Sequence, residues 1–144
     1  MNDPVCLDTS IWIKYLCPDE EEDKATTLVT GILTAQNLLI APSFSWAEIG
    51  SVLRKKIRSN LLTSEQATSL YRAYNSFDIN YLDSPKIRER AWEIASQYKM
   101  PTLYDAVFVA CAESESATYW TADKVLLKQL NSSLSYVFSL EDIT

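Results

Sequence analysis

Short apolar runs alternate with longer helical patterns along this chain, and that alternation restricts its fold more than any other feature. Val5 to Leu7, Leu38 to Ala41, Ile79 to Leu82 and Ala117 to Trp120 read as strands, and Tyr136 to Ser139 as a final edge strand. Between them the spacing predicts helices over 9–16, 24–36, 45–58, 63–75, 84–98, 103–112 and 124–130. Ser45-Trp46-Ala47-Glu48 and Thr63-Ser64-Glu65-Gln66 match capping boxes, and Pro85 follows Ser84 where a missing N–H is harmless. Leu28, Ile32 and Ala35 fall on one helical face, and Asn60 suits the left-handed residue that ends a helix. Strand and helix in turn, with no repeat, linker or low-complexity segment, predict an α/β fold with a mostly parallel sheet, one domain over 1–144.

Four carboxylates stand alone in apolar surroundings. Asp8 is the sole charge between Asp3 and Lys14, Glu48 between Lys24 and Arg54, and Asp105 between Lys99 and Glu113; Asp123 is the first charge after Glu115. A carboxylate buried without a partner costs several kcal/mol or takes up a proton. Each has a plain structural reading: Glu48 and Asp105 could complete capping boxes with Ser45 and Thr102, and Asp8 and Asp123 could favour the helix dipoles after their strands. Together they read differently. In an open parallel sheet the carboxyl ends of the strands and the helix N-termini after them share one edge, where ligands bind. Acids meeting there repel one another until a cation arrives. Thr9, Ser10, Ser45 and Thr121 stand beside them as hydroxyls able to orient carboxylate oxygens. An all-oxygen site suits Mg²⁺ or Mn²⁺, and hard divalent ions on carboxylate clusters serve phosphoryl chemistry.

Composition closes off other chemistries. The chain has no histidine, which removes Ser-His-Asp triads, Cys-His nucleophiles and His-ligated zinc. Its 2 glycines argue against a glycine-rich phosphate cradle, and a net charge of −6 against nucleic-acid binding by bulk positive charge. A metal-dependent nuclease stays open, because cations neutralise both carboxylates and phosphate. Cys6, Cys17 and Cys111 form no CxxC pair, no apolar run approaches the roughly 18 residues of a membrane span, and Met1-Asn2-Asp3-Pro4 lacks a signal-peptide start. The expected location is the cytoplasm.

The pattern Leu7-Asp8-Thr9-Ser10, Ser45-Trp46-Ala47-Glu48, Tyr104-Asp105-Ala106 and Thr121-Ala122-Asp123 resembles the PIN domain, and within it the VapC-type toxins of prokaryotic toxin–antitoxin pairs. The resemblance spans the chain in order. It implies a three-layer α/β/α sandwich, Mg²⁺- or Mn²⁺-dependent endoribonuclease activity on RNA, and metal ligation by Asp8, Glu48, Asp105 and Asp123. It also implies a homodimer, an antitoxin that blocks the site, and products with 5′-phosphate and 3′-hydroxyl ends. The chain departs at Asn60, where such toxins often carry Gly, and Asp123 has a cation, Lys124, beside it.

Two rival readings remain at this point. An aspartyl-phosphate phosphatase would need a second Asp two positions after Asp8, where Ser10 stands. A PIN-like fold kept as an idle binding module would have no need of all four acids. Outside the acids, Arg54, Lys55, Lys56 and Arg58 form the densest basic run. Lys55 shares the Glu48 face about 10 Å along the helix axis, within reach of RNA phosphates, with a plain solvated face as the equal alternative; the others read as a solvated face. Lys86, Arg88 and Arg90 also read as solvated, and Lys14 as a phosphate contact near Asp8. Trp12, Trp46, Trp92 and Trp120 read mostly as core or interface, with base stacking as the alternative.

Overall fold

The computed structural model describes residues 3–143, so the Met1-Asn2 start read above lies outside the described residues. The chain runs β1 (Pro4–Leu7), α1 (Thr9–Leu16), a 3₁₀ turn (Pro18–Glu20), α2 (Asp23–Thr34), β2 (Leu38–Pro42), α3 (Ser45–Arg58) and α4 (Ser64–Asn75). It continues with β3 (Ile79–Leu82), α5 (Pro85–Gln97), α6 (Tyr104–Ser114), β4 (Thr118–Thr121), α7 (Lys124–Leu130), β5 (Val137–Ser139) and a 3₁₀ turn (Leu140–Asp142). The five strands pair in the order β3-β2-β1-β4-β5, every pair parallel.

Alternation along the central strands makes the three layers. Val5, Leu7 and Leu39 point into a core shared with α1, α2, α3 and α4. Cys6, Ile40 and Tyr119 point the other way, into a core with α5, α6 and α7. Both faces of the sheet are therefore covered, which is why β1 and β2 are apolar throughout. The α6 segment is apolar on nearly all sides because it is interior, with Ala106 and Phe108 to Ala112 buried.

Register places the functional edge. Strands are added from β1 outward to β3, and the chain then crosses back to lay β4 on the other side of β1. Strand order thus reverses between β1 and β4, the point where open α/β sheets bind ligands. Leu7 is level with Trp120, and the Asp8 N–H donates to the Trp120 carbonyl at 3.2 Å. The turns after β1 and β4 leave the sheet side by side.

Several local expectations hold. Thr63 and Gln66 close their capping box, Ser84 caps α5 with Pro85 behind it, and Asn60 has φ 60° after α3. Others do not. Ala35 is exposed because α2 ends at Thr34; its buried face is Ala25, Leu28, Val29 and Ile32. Lys56 is buried rather than solvated, paired with Asp19 at 2.5 Å and with Glu20, so it pins the Pro18–Glu20 turn to α3. Arg90 is drawn from the solvated face by Glu113, with Nε 2.7 Å from the carboxylate. Trp12 is core and Trp120 stacks on Phe138, whereas Trp46 and Trp92 face solvent. Cys6, Cys17 and Cys111 are buried free thiols.

Candidate active site

Asp8 leaves β1 in extended backbone and caps α1. Its Oδ1 accepts from the Ile11 N–H at 3.2 Å and from Ser10 Oγ at 2.5 Å, and its Oδ2 accepts from the Tyr119 hydroxyl at 3.0 Å. It is 5% exposed. Burial pushes its carboxyl above the ordinary range, against hydrogen bonds from Ser10, Thr121, Tyr119 and Ile11 that hold it down. Ser10 Oγ also accepts from the Ala122 N–H at 2.9 Å, tying the two strand-end turns together.

On the second turn, Asp123 caps α7, with Oδ1 accepting from the Val125 and Leu126 N–H groups at 2.9 and 3.1 Å. Fully buried Thr121 accepts from the Asp123 N–H at 3.0 Å. The structural reading of Asp8 and Asp123 as caps is thus correct, and it leaves each facing the same hollow.

For the other two acids that reading fails. Ser45 is the first helical residue of α3, and Phe44 occupies the cap with no side-chain bond. The Ser45 hydroxyl instead turns inward to the Tyr74 hydroxyl at 3.2 Å, so it does not orient the acids. Freed from a capping box, Glu48 Oε1 accepts from Thr9 Oγ1 at 2.6 Å, which binds α3 to α1. Leu103 occupies the cap of α6, again without a side-chain bond, so Asp105 completes no box with Thr102.

All four carboxylates line one cavity of about 560 Å³, together with Thr9, Ser10, Ser51, Phe44 and Tyr104. Their charges are felt across it. Burial, and then the charges of Asp123 and Asp8, push the Asp105 carboxyl up to about 6. Burial raises Glu48 as well, opposed by the Thr9 hydrogen bond and assisted by Asp105. Asp105 is the hub. Among the described residues, no three of these acids close on one point that could hold an ion as they stand. Asp8, Glu48 and Asp123 are each held by hydrogen bonds of their own.

The cations are elsewhere. No Lys or Arg lines the cavity among the described residues. Lys14 is paired with Glu22 at 3.2 Å and does not line the cavity. Lys55 is exposed and outside the cavity wall, whereas Ser51 and Val52, on the same helix after Glu48, form part of it. A larger hollow of about 720 Å³ between α5 and α6 contains Arg90 and Glu113, but these neutralise each other through a two-pronged ion pair. Tyr119 and Ser51 escaped the sequence reading. Tyr119 lies in an ordinary strand, and nothing local marks its hydroxyl as the donor beneath Asp8.

The PIN domain model matches residues 5–130. The chain belongs to the PIN domain family. This PIN domain is 30% identical over 103 residues to Ribonuclease VapC1 of Mycobacterium tuberculosis, covering 71% of this chain and 75% of that protein. It is also similar in structure to VapBC2 from Rickettsia felis bound to a DNA fragment from its promoter. That TM-score is 0.69 at 18% identity, over 94% of this chain and 98% of the other. A toxin–antitoxin complex from Klebsiella pneumoniae gives a TM-score of 0.65 at 22% identity, over 94% and 97%. At these identities the solved structures speak to the fold alone, and they share the three-layer sandwich predicted for this chain.

Proposed function

We propose that this chain is a divalent-metal-dependent endoribonuclease, the toxin of a toxin–antitoxin pair. The observation that carries the reading is the meeting of Asp8, Glu48, Asp105 and Asp123 in one cavity at the sheet's switch point. Membership of the PIN domain family and a relative named as a ribonuclease support it. The donor set fits a hard cation: oxygen atoms only, from four acids, with three carboxyls raised by burial or by one another.

Asp8, Glu48, Asp105 and Asp123 would hold Mg²⁺ or Mn²⁺. When bound, such an ion supplies positive charge to the phosphodiester and lowers the pKa of the attacking water. The chain's own part is positioning. Ser10, Tyr119 and the Ile11 N–H lock Asp8 in one rotamer, and Thr9 holds Glu48 toward α1. Asp123 keeps Oδ1 on the α7 N–H groups, which leaves Oδ2 for the cavity. Water, rather than a side chain of the wall, would attack the phosphorus, so hydrolysis would proceed without a covalent intermediate, leaving 5′-phosphate and 3′-hydroxyl ends.

The same reading takes residues 1–144 as one functional unit. It is a homodimer in a reducing cytoplasm, consistent with three buried free thiols. Its antitoxin covers the cavity. Among the described residues no helix is long and apolar enough to cross a membrane.

Cleavage of generic single-stranded RNA in millimolar Mg²⁺ or Mn²⁺, abolished by chelator and restored by excess ion, is the expected result. RNA left intact under every divalent ion would make the chain an idle binding module. Lys55 supplies a finer test. Lys55→Glu should weaken cleavage several-fold more than Lys86→Glu, although the charge change is the same. Lys55 is an exposed residue on the Glu48 helix, whereas Lys86 lies on α5, which carries none of the four acids. Loss of one phosphate contact should also flatten the salt dependence of binding by about one unit of slope. Equal effects of the two substitutions would mean that charge acts only in bulk.

A further inference from the structure

An absence in the cavity wall raises the question of how a nucleotide is held there. The wall contains four acids and, among its described residues, no Lys or Arg. The chain therefore brings no cation of its own to the phosphate at this point, which leaves room for a grip on the base as well. The wall does contain one large exposed ring. Tyr104 precedes Asp105 in the first turn of α6, lines the cavity, and is 58% exposed.

Its ring packs against the cavity wall. Phe44 meets Tyr104 edge to face, with centroids 5.5 Å apart and planes at 80°. Phe44 in turn meets Phe108 at 5.9 Å and 86°, and Phe108 packs on Tyr119 at 6.3 Å. Tyr119 is the hydroxyl donor to Asp8. A chain of four rings thus runs from the acid that anchors the site to the ring at its mouth. An aromatic side chain left largely in water yet braced on one edge by packing has less rotamer freedom to lose, so a second flat group can stack on it at reduced entropic cost.

We propose that Tyr104 is the stacking platform for an unpaired nucleobase next to the scissile phosphate, and so a substrate-positioning residue that favours single-stranded over duplex RNA. The inference rests on the ribonuclease reading above and deepens it. Stacking on an aromatic face tolerates any base, needs no positive charge, and requires the base to be out of a duplex. Those properties suit an acid-lined cavity in a chain of net charge −6. Trp46 is the internal control. It is exposed to a similar degree, 48%, and lies in the first turn of α3, two residues before Glu48. Two residues along a helix point nearly opposite ways, and Trp46 is not part of the cavity wall.

The experiment is a cycle of two changes with a short single-stranded oligoribonucleotide: Tyr104→Ala in the protein, and an abasic site beside the cleaved bond in the RNA. Tyr104→Ala should raise KM about tenfold or more, with a smaller change in kcat. The abasic substrate should do the same to wild type and add little to Tyr104→Ala. Tyr104→Phe should restore wild-type KM, and Trp46→Ala should leave it unchanged. A binding readout accompanies the kinetics: quenching of a 2-aminopurine base by the Asp8→Asn protein, lost in Asp8→Asn/Tyr104→Ala. Wild type that cleaves RNA while Tyr104→Ala and Trp46→Ala behave alike overturns this inference and leaves the ribonuclease reading standing. Effects of Tyr104→Ala and the abasic site that simply add also overturn it. Wild type that cleaves no RNA overturns both.

Discussion

Asp8→Asn and Asp105→Asn should each reduce RNA cleavage by about 100-fold or more while the protein stays folded. The two substitutions remove a charge proposed to bind metal, with almost no change in shape, so lost packing cannot explain the lost activity. At position 8 an amide oxygen can still accept from the Ile11 N–H and from Ser10, and the amide nitrogen can donate to the Tyr119 oxygen. The cost is the Tyr119 hydrogen, left without its carboxylate acceptor, about 1–3 kcal/mol in a buried setting. Relief of a buried negative charge offsets part of that. At position 105 the balance favours the variant, because burial and the charges of Asp123 and Asp8 already disfavour the ionised form. Ligand loss in a carboxylate metal site exceeds the 10- to 100-fold typical of the groups behind the ligands, which sets the expected floor at about 100-fold. Cleavage rates and urea midpoints on the same preparations decide the matter. Wild-type turnover in both variants would remove these acids from the chemistry.

Strand and helix order was readable because its signals are local. The apolar runs, Pro85 behind Ser84 and the Thr63–Gln66 box each act within one turn of their own position. What misled was side chains claimed from far along the chain. Ser45 carries a capping pattern, but Tyr74, 29 residues away, takes its hydroxyl into the core. Lys56 sits in a basic run that reads as solvated, but Asp19, 37 residues earlier, draws it into a buried pair. The acids were legible for the opposite reason. Asp8, Glu48 and Asp105 have no charged neighbour in sequence, so their isolation reports a demand that tertiary structure must meet. What meets it was not legible: Tyr119 reaches Asp8 through strand register, and Thr9 reaches Glu48 across 39 residues.

Mn²⁺ or Mg²⁺ should raise the melting temperature, and the rise should grow between pH 5 and pH 7. The pH sense follows from Asp105, whose carboxyl is pushed up to about 6, above the ordinary aspartate value of about 4. Between those two values the folded protein binds more protons than the unfolded chain, so without metal its stability falls as pH rises through the window. Asp8 and Glu48 are raised too and act in the same direction. A cation favours the deprotonated acids, so it competes with protons at low pH and relieves the repulsion at high pH. An ion at 100 times its dissociation constant stabilises the native state by about 2.7 kcal/mol, or roughly 5–10 °C for a chain of this size. Asp105→Asn should remove most of that shift. It should also flatten the metal-free decline in stability, because the hub of the repulsion is gone. Differential scanning calorimetry at pH 5, 6 and 7, with chelator and with millimolar ion, reads both effects. A melting temperature indifferent to the ion at all three pH values would leave Asp8 and Asp123 as helix caps, and Glu48 as an anchor between α1 and α3.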